Sequence, residues 1–385
     1  MRIKRLVVDG GPSENYHRTR GIGTVSRELL DTITPEVGAA AGFDVGYLRR
    51  RELPSCRSHW YRRSWPAEIS RAGERVHIRV ATWFQPIDVV TSLTWDIQRT
   101  GADVYLAIDP FAMPVSRAYA TVGFVYDFIP LLWPEKYLTY TRFMGLPTAL
   151  WYARLRRLKR ADWWIAISEA TKQDAVRLAG MDPDRITVAP LGVDQRLFRP
   201  IDPAEARAVV AKRFGVTRPY IYFAGAKDPR KNLETLLAAH DPEMADLVIS
   251  GQHAPDGDRH PAVHWLGKVQ TSDLPWLYAG AMAFAFPTLY EGFGLPVLEA
   301  MACGTPVVTS KLSSIPEVAG DAAVYCDPLD ARAIREALHR VVTDESLRDS
   351  LRTCGLLRAA QFTWSRTASL VLDACHAGVA SKRPG

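Results

Sequence analysis

Short, continuous apolar runs separated by helix-like stretches constrain this chain most. Residues 6–8, 104–108, 122–125, 163–167 and 186–188 form one series, and 220–224, 247–250, 263–266, 283–286 and 307–309 form a second. Runs that are apolar throughout, rather than at alternate positions, suit strands covered on both faces, as in a parallel sheet flanked by helices. At 385 residues the chain exceeds what one core usually holds. Two doubly wound α/β domains are therefore expected. The break between them falls at 190–200, where Pro190, Gly192 and Pro200 mark a linker. The expected domains are residues 1–196 and 197–360, followed by a tail, 361–385. The tail has helical spacing at Thr367, Leu370, Val371 and Ala374. Residues 42–95 are the hardest to assign.

Composition excludes several classes. The hydrophobic fraction of 47% and charged fraction of 23% are those of a soluble globular protein. Cys56, Cys303, Cys326, Cys354 and Cys375 are odd in number and form no CxxC pair, so neither a disulfide framework nor a zinc site is indicated. A reducing cytoplasm fits. The first apolar run stops at Asp9-Gly10-Gly11, too early for a signal peptide. No stretch approaches the roughly 18 apolar residues of a membrane span. The net charge of +6 suits an anionic ligand or surface without identifying it.

The chemistry concentrates in residues 291–304, EGFGLPVLEAMACG, between two apolar runs. Pro296 suits the start of a helix and Gly304 the position just past its end. Glu291 then lies in the turn before the helix and Glu299 in its first turns. Backbone N–H groups there lack partners within the helix, and the helix dipole is positive at that end. Gly292 and Gly294 allow a ligand close to the backbone. Such a site offers donors to phosphate oxygens and two carboxylates to sugar hydroxyls. A nucleotide sugar carries both groups. The second anchor, Asp228-Pro229-Arg230-Lys231-Asn232, follows the strand-like run 220–224. Cations at the carboxyl end of a parallel strand face the crevice where α/β folds bind ligands, and both residue types hold phosphate.

The EGFGLPVLEAMACGTPVV wording resembles the Glu-x7-Glu motif of glycosyltransferase family 4, and DPRKN resembles that family's EPRKN. RGIGTVSREL at 20–29 is similar to the family's N-terminal glycine loop, and the PLGVD and LFRP segments to its linker. The resemblance runs nearly the whole chain and implies a GT-B fold, two Rossmann-like domains facing across a cleft, with the C-terminal helix crossing back to the first. It implies that Glu291 touches the donor sugar and Glu299 the ribose hydroxyls. It further implies that Lys231 binds the diphosphate and that the loop at Gly21 and Gly23 approaches the donor phosphates. Gly292, Phe293, Gly294 and Leu295 belong to the same donor-binding segment. The second cation is either Arg230 or Lys227. Relatives read His-Asp-Leu-Ile-Pro where this chain has Tyr126-Asp127-Phe128-Ile129-Pro130. Asp127 is thus a candidate catalytic residue, or alternatively an acid capping the next turn. Tyrosine carries no positive charge near neutral pH, which leaves the role of Tyr126 open.

No metal or other cofactor is expected, because Lys231 and Arg230 supply charge at the leaving group. Asp256-Gly257-Asp258 reads as a surface turn. Basic, aromatic-interleaved patches at Arg49–Arg51, Arg57, Trp60–Arg63 and Trp65, and at Arg154, Arg156, Arg157, Lys159 and Arg160, suit anionic headgroups or plain solvated faces. No nucleic-acid module accompanies them. The resulting expectation is a retaining glycosyltransferase, with GDP-mannose as first-choice donor and a glycan or lipid-linked acceptor, at most peripheral to the inner membrane face. Decoration of a small metabolite from a UDP- or dTDP-sugar is one alternative. A non-catalytic nucleotide-sugar-binding protein is another. As cleft residues without structural partners, Glu291 and Glu299 are expected to be replaceable by alanine within about 1 kcal/mol of stability.

Overall fold

The runs 104–107, 122–125, 247–250, 283–286 and 307–309 become strands buried from end to end, whereas 186–188 and 263–266 are only partly buried. The computed structural model describes residues 3–10, 12, 21–50, 63–71, 74–82, 85–110, 112–115, 118–137, 146–225, 228–255 and 260–382. Two compact units form: Met1–Leu191 with Trp364–Gly385, and Gly192–Thr363.

The first unit is built on an eight-stranded sheet. Its strands are β1 (Lys4–Asp9), β2 (Phe43–Arg50), β3 (Arg63–Arg71), β4 (Glu74–Thr82), β5 (Val104–Ala107), β6 (Ala120–Val125), β7 (Trp163–Ala166) and β8 (Ile186–Val188). Their order is β4-β3-β2-β1-β5-β6-β7-β8. The strands from β2 through β8 in that order are parallel, and β5 and β6 are wholly buried. One edge departs from the expected all-parallel sheet: β3 pairs antiparallel with both β2 and β4. These two strands come from the stretch that resisted assignment. In β4 the apolar residues Val76, Ile78 and Val80 alternate with Arg75, His77 and Arg79, the period of a strand with unlike faces. The helix Trp364–Ala380 lies on β6 and β7 of this unit. A Cβ on Gly378 would sit 2.7 Å from a Val122 methyl, so the approach requires glycine there. His376 Nε2 also meets the Ala41 carbonyl at 2.7 Å.

The second unit has six parallel strands: β9 (Tyr220–Ala224), β10 (Asp246–Ser250), β11 (Val263–Gly267), β12 (Ala283–Phe286), β13 (Val307–Ser310) and β14 (Val324–Cys326). Their order, β11-β10-β9-β12-β13-β14, is that of a dinucleotide-binding doubly wound sheet. The strand order reverses between β9 and β12, which pair in parallel through Ile221 with Ala283 and Tyr222 with Phe284. Phe284 and Phe286 stack at 5.5 Å, and Tyr222 and Tyr278 close on Phe284. This aromatic core fixes where the two strands end, and ligands of such sheets bind beyond those ends. Asp202 caps the entering helix Pro203–Phe214 by accepting from the Ala204 and Glu205 N–H groups.

Candidate active site

At the switch point, the loops after β9 and β12 meet. The first turns through Pro229–Lys231, with the Asp228 carboxylate accepting from the Arg230 N–H at 3.2 Å. Asn232 ends the turn in the left-handed conformation, φ 58°. Its amide donates to the Pro287 carbonyl at 3.1 Å and the Pro328 carbonyl at 2.6 Å, and its Oδ1 accepts from Thr235. The Arg230 carbonyl accepts from the Leu289 N–H at 2.7 Å and the Thr288 hydroxyl at 3.0 Å. The two loops are thus stitched together by backbone groups, and the charged side chains stand on that support.

Glu291 is the centre of the constellation. Its Oε2 lies 2.9 Å from Arg230 Nη1, and its Oε1 lies 3.8 Å from Lys231 Nζ. Arg230 also pairs with Asp228 at 2.8 Å and donates to the Tyr290 carbonyl at 3.1 Å. Burial pulls the Arg230 guanidinium down, but Glu291 and Asp228 outweigh it and raise it above its ordinary value. Lys231 is shifted the other way, because burial lowers it more than Glu291 lifts it. The Lys231 ammonium sits 4.9 Å over the Phe286 ring. A Cβ on Gly225 would fall 2.5 Å from the Lys231 side chain, so glycine at the end of β9 is what lets that chain run across. Glu291 is 8% exposed, and its Oε1 is buried without a hydrogen-bond partner.

The helix Leu295–Ala302 follows, with Gly294 as its first cap at φ 108°. The loop before it is held by Ser314, whose hydroxyl donates to the Glu291 and Phe293 carbonyls, both at 2.8 Å, and by Ser313, whose hydroxyl accepts from the Glu291 N–H. Gly292 is buried, and the buried Phe293 ring packs edge-on against Phe362 at 5.9 Å. Leu295 is half-buried at the head of the helix. Glu299 accepts a hydrogen bond from the Tyr278 hydroxyl at 3.0 Å. Burial pushes its carboxyl up to about 7, against the pull of Tyr278 and Lys231. Tyr278, Asp228, Asn232 and Ser314 all support the site. Of these, only Asp228 and Asn232 fall within a motif visible in the sequence, DPRKN.

The raised Glu299 carboxyl predicts a pH effect. Between about 4.5 and 7 the folded chain keeps a proton that the unfolded chain has released, so stability falls as pH rises through that window. Glu299→Gln should remove this loss, on the order of 2 kcal/mol given the partly exposed side chain. Denaturant midpoints at pH 5 and pH 8 check it: an equal fall in both proteins would contradict the burial-driven shift.

Gly21, Gly23, Tyr126 and Asp127 lie in the first unit. Gly21 opens the helix Gly21–Thr32, with no atom within 4 Å of a Cβ built there, and Gly23 is buried in the same turn. Asp127 accepts from the Ile129 N–H at 3.1 Å, a local turn contact just before the helix Ile129–Leu132. The Tyr126 hydroxyl donates to the Ile108 carbonyl at 3.0 Å, and burial, with Asp109 and Asp9 beside it, raises it well above its ordinary value. Tyr126 is therefore a neutral tie between the ends of β5 and β6. Lys227, Asp256, Gly257, Asp258, Arg51, Arg57 and residues 60–62 lie outside the described residues, as do the side chains of Arg49, Arg50, Arg63 and Trp65.

Two family models match in tandem: Glycosyltransferase Family 4 over residues 39–197, and Glycosyl transferases group 1 over residues 207–355. The chain belongs to glycosyltransferase family 4. The family's two models fall on either side of the 197–207 junction, and the second holds Arg230, Lys231, Glu291 and Glu299. O-antigen chain mannosyltransferase B of Escherichia coli is 35% identical over 233 residues, which span 56% of this chain and 61% of that relative's length. Among solved structures, the sucrose-phosphate synthase of Thermosynechococcus elongatus matches with a TM-score of 0.69 at 20% identity, covering 96% of this chain and 97% of that one. Anabaena HepE in complex with UDP-glucose matches with a TM-score of 0.65 at 16% identity, covering 96% and 98%. These likenesses show the fold, GT-B. Among the described residues no helix is long and apolar enough to cross a membrane.

Proposed function

We propose that this family 4 chain is a retaining glycosyltransferase that moves a sugar, mannose from GDP-mannose in the first instance, to a hydroxyl of a glycan or lipid-linked acceptor. The observation that carries the reading is Glu291 Oε1, a buried acceptor without a hydrogen-bond partner, 3.8 Å from the Lys231 ammonium. A sugar hydroxyl donates to such an oxygen, and the ammonium beside it suits the diphosphate to which the sugar is joined. Glu299, the fifth residue of the helix Leu295–Ala302, accepts from the ribose hydroxyls. As the glycosidic bond to the diphosphate breaks, negative charge grows on the leaving oxygen. A fixed cation that is held more strongly by the leaving group as its charge grows lowers the barrier beyond what it contributes to ground-state binding. Arg230 supports this from beneath: three of its hydrogen bonds go to Asp228, Glu291 and Tyr290, so it positions the carboxylate more than it binds phosphate. Mannose is chosen because the O-antigen relative is named a mannosyltransferase. UDP-glucose bound to a chain of this fold supports a nucleotide sugar as donor.

The test is transfer from GDP-mannose to a mannose-terminated glycan, following GDP release and the anomeric proton of the product by NMR. The expected product keeps the donor's α configuration, and excess EDTA leaves the rate within about twofold, because Lys231 carries the leaving-group charge. An inverted product refutes retention. Activity abolished by EDTA and restored by a divalent ion refutes the lysine's role.

A further inference from the structure

The first unit holds a second cationic recess, at the other end of its sheet. Tyr119 and Thr121 lie where β6 begins, whereas Tyr126 and Asp127 follow its end, roughly 17 Å further along the strand. Arg157, Arg160 and Lys382 line the recess together with Asp162 and Met113, and its volume is about 550 Å³ with the open mouth included. Arg157 comes from the last turn of the helix Leu146–Leu158, Arg160 from the turn after it, and Lys382 from the residues after the helix Trp364–Ala380. Three cations therefore converge from two separate elements onto one concavity.

The hydrogen bonding of this group is incomplete. Arg157 Nε is buried and makes no hydrogen bond, and neither Arg157 nor Arg160 forms an ion pair among the described residues. The one carboxylate in the lining, Asp162, is turned to the sheet: its Oδ2 accepts from the Thr121 N–H at 2.9 Å and the Thr121 hydroxyl at 3.1 Å. Lys382 is braced by donating to the Ala118 carbonyl at 2.6 Å. A buried donor without a partner costs free energy, and a guanidinium most of all. Burial and the neighbouring Arg154 both lower Arg157 from its ordinary value, which an anion in the recess would reverse. A guanidinium fork beside an ammonium suits the several oxygens of a phosphate group better than a single carboxylate.

We propose that the recess formed by Arg157, Arg160 and Lys382 is a binding site for a phosphate group, separate from the donor loops of the second unit. Phosphate chemistry is common to a free phosphate anion and to the headgroup of an anionic lipid, and the experiment separates them. Full-length Lys231→Ala protein, in which the donor loops have lost their phosphate-binding ammonium, is titrated at fixed ionic strength with two probes. One is inorganic phosphate. The other is vesicles of phosphatidylglycerol in phosphatidylcholine, with pure phosphatidylcholine as the blank.

Saturable binding of at least one probe is expected, weakened about tenfold or more by Arg157→Gln and by Arg160→Gln. Lys159→Gln, at an exposed lysine of the same segment outside the recess, should leave it within about twofold. Binding of phosphate identifies a soluble anion as the ligand, and binding of the vesicles alone identifies a headgroup. Binding of neither probe overturns the proposal. So does an equal loss in Lys159→Gln, which would mean a diffuse basic surface. Should Arg157→Gln lower the melting temperature sharply, Arg160→Gln, whose side chain is exposed, decides alone.

Discussion

Lys231→Ala should reduce turnover roughly a hundred- to a thousandfold while the protein stays folded. That is the usual cost, about 2.7–4 kcal/mol, of losing one preorganised group that meets developing charge. The structure adds the reason for preorganisation. The Lys231 chain crosses Gly225 and is held over the Phe286 ring 4.9 Å away, with Glu291 at 3.8 Å on its other side. Little reorganisation is then required when charge appears on the diphosphate. Removing the side chain leaves Glu291 still paired with Arg230 at 2.9 Å, so the loss of fold stability should be small. Single-turnover and steady-state rates of the variant, with a melting curve to show that it is folded, measure this directly. A folded variant with wild-type turnover would remove Lys231 from the leaving-group role.

Much of this was legible because α/β sheets place chemistry at strand ends. Runs 220–224 and 283–286 coincide with β9 and β12, and their apolar continuity reflects burial on both faces. Arg230 and Glu291 are distant in sequence, yet each follows one of these strands, and the strand order sets them side by side. The strand β14, three residues long with only Val324 fully buried, carries too little pattern to be read. The strand β4 alternates apolar with basic residues, and β3 mixes apolar with polar ones, so the pair lacks the continuous run that marked the others. Supporting contacts were illegible for a different reason. That Tyr278 donates to Glu299, or that Asn232 joins Pro287 to Pro328, depends on tertiary proximity and left-handed geometry, which no spacing in the sequence encodes.

Glu291→Ala should lose both stability and turnover, which overturns the expectation that both motif carboxylates are free of structural partners. Glu291 neutralises Arg230 at 2.9 Å and faces Lys231, in a pocket where its own side chain is 11% exposed and theirs 17% and 14%. Truncation leaves two nearly buried cations beside Asp228, which pairs with Arg230 at 2.8 Å. Breaking a buried pair from one side typically costs about 3–5 kcal/mol, and the low end, about 3 kcal/mol, is expected because Arg230 keeps Asp228 and the Tyr290 carbonyl. Glu291→Gln keeps the shape and part of the hydrogen bonding, so it should lose less stability than alanine. Both variants should lower kcat more than they raise the donor KM, since contacts at the sugar change in the transition state. Glu299→Ala should show the reverse, a raised donor KM with kcat nearly kept, because ribose contacts change little during transfer. Kinetics below each variant's unfolding range, with denaturant midpoints alongside, separate folding from chemistry. Wild-type stability in Glu291→Ala would show that the Arg230 pair is not a support, and a defect confined to KM would move Glu291 from the sugar to a remote part of the donor.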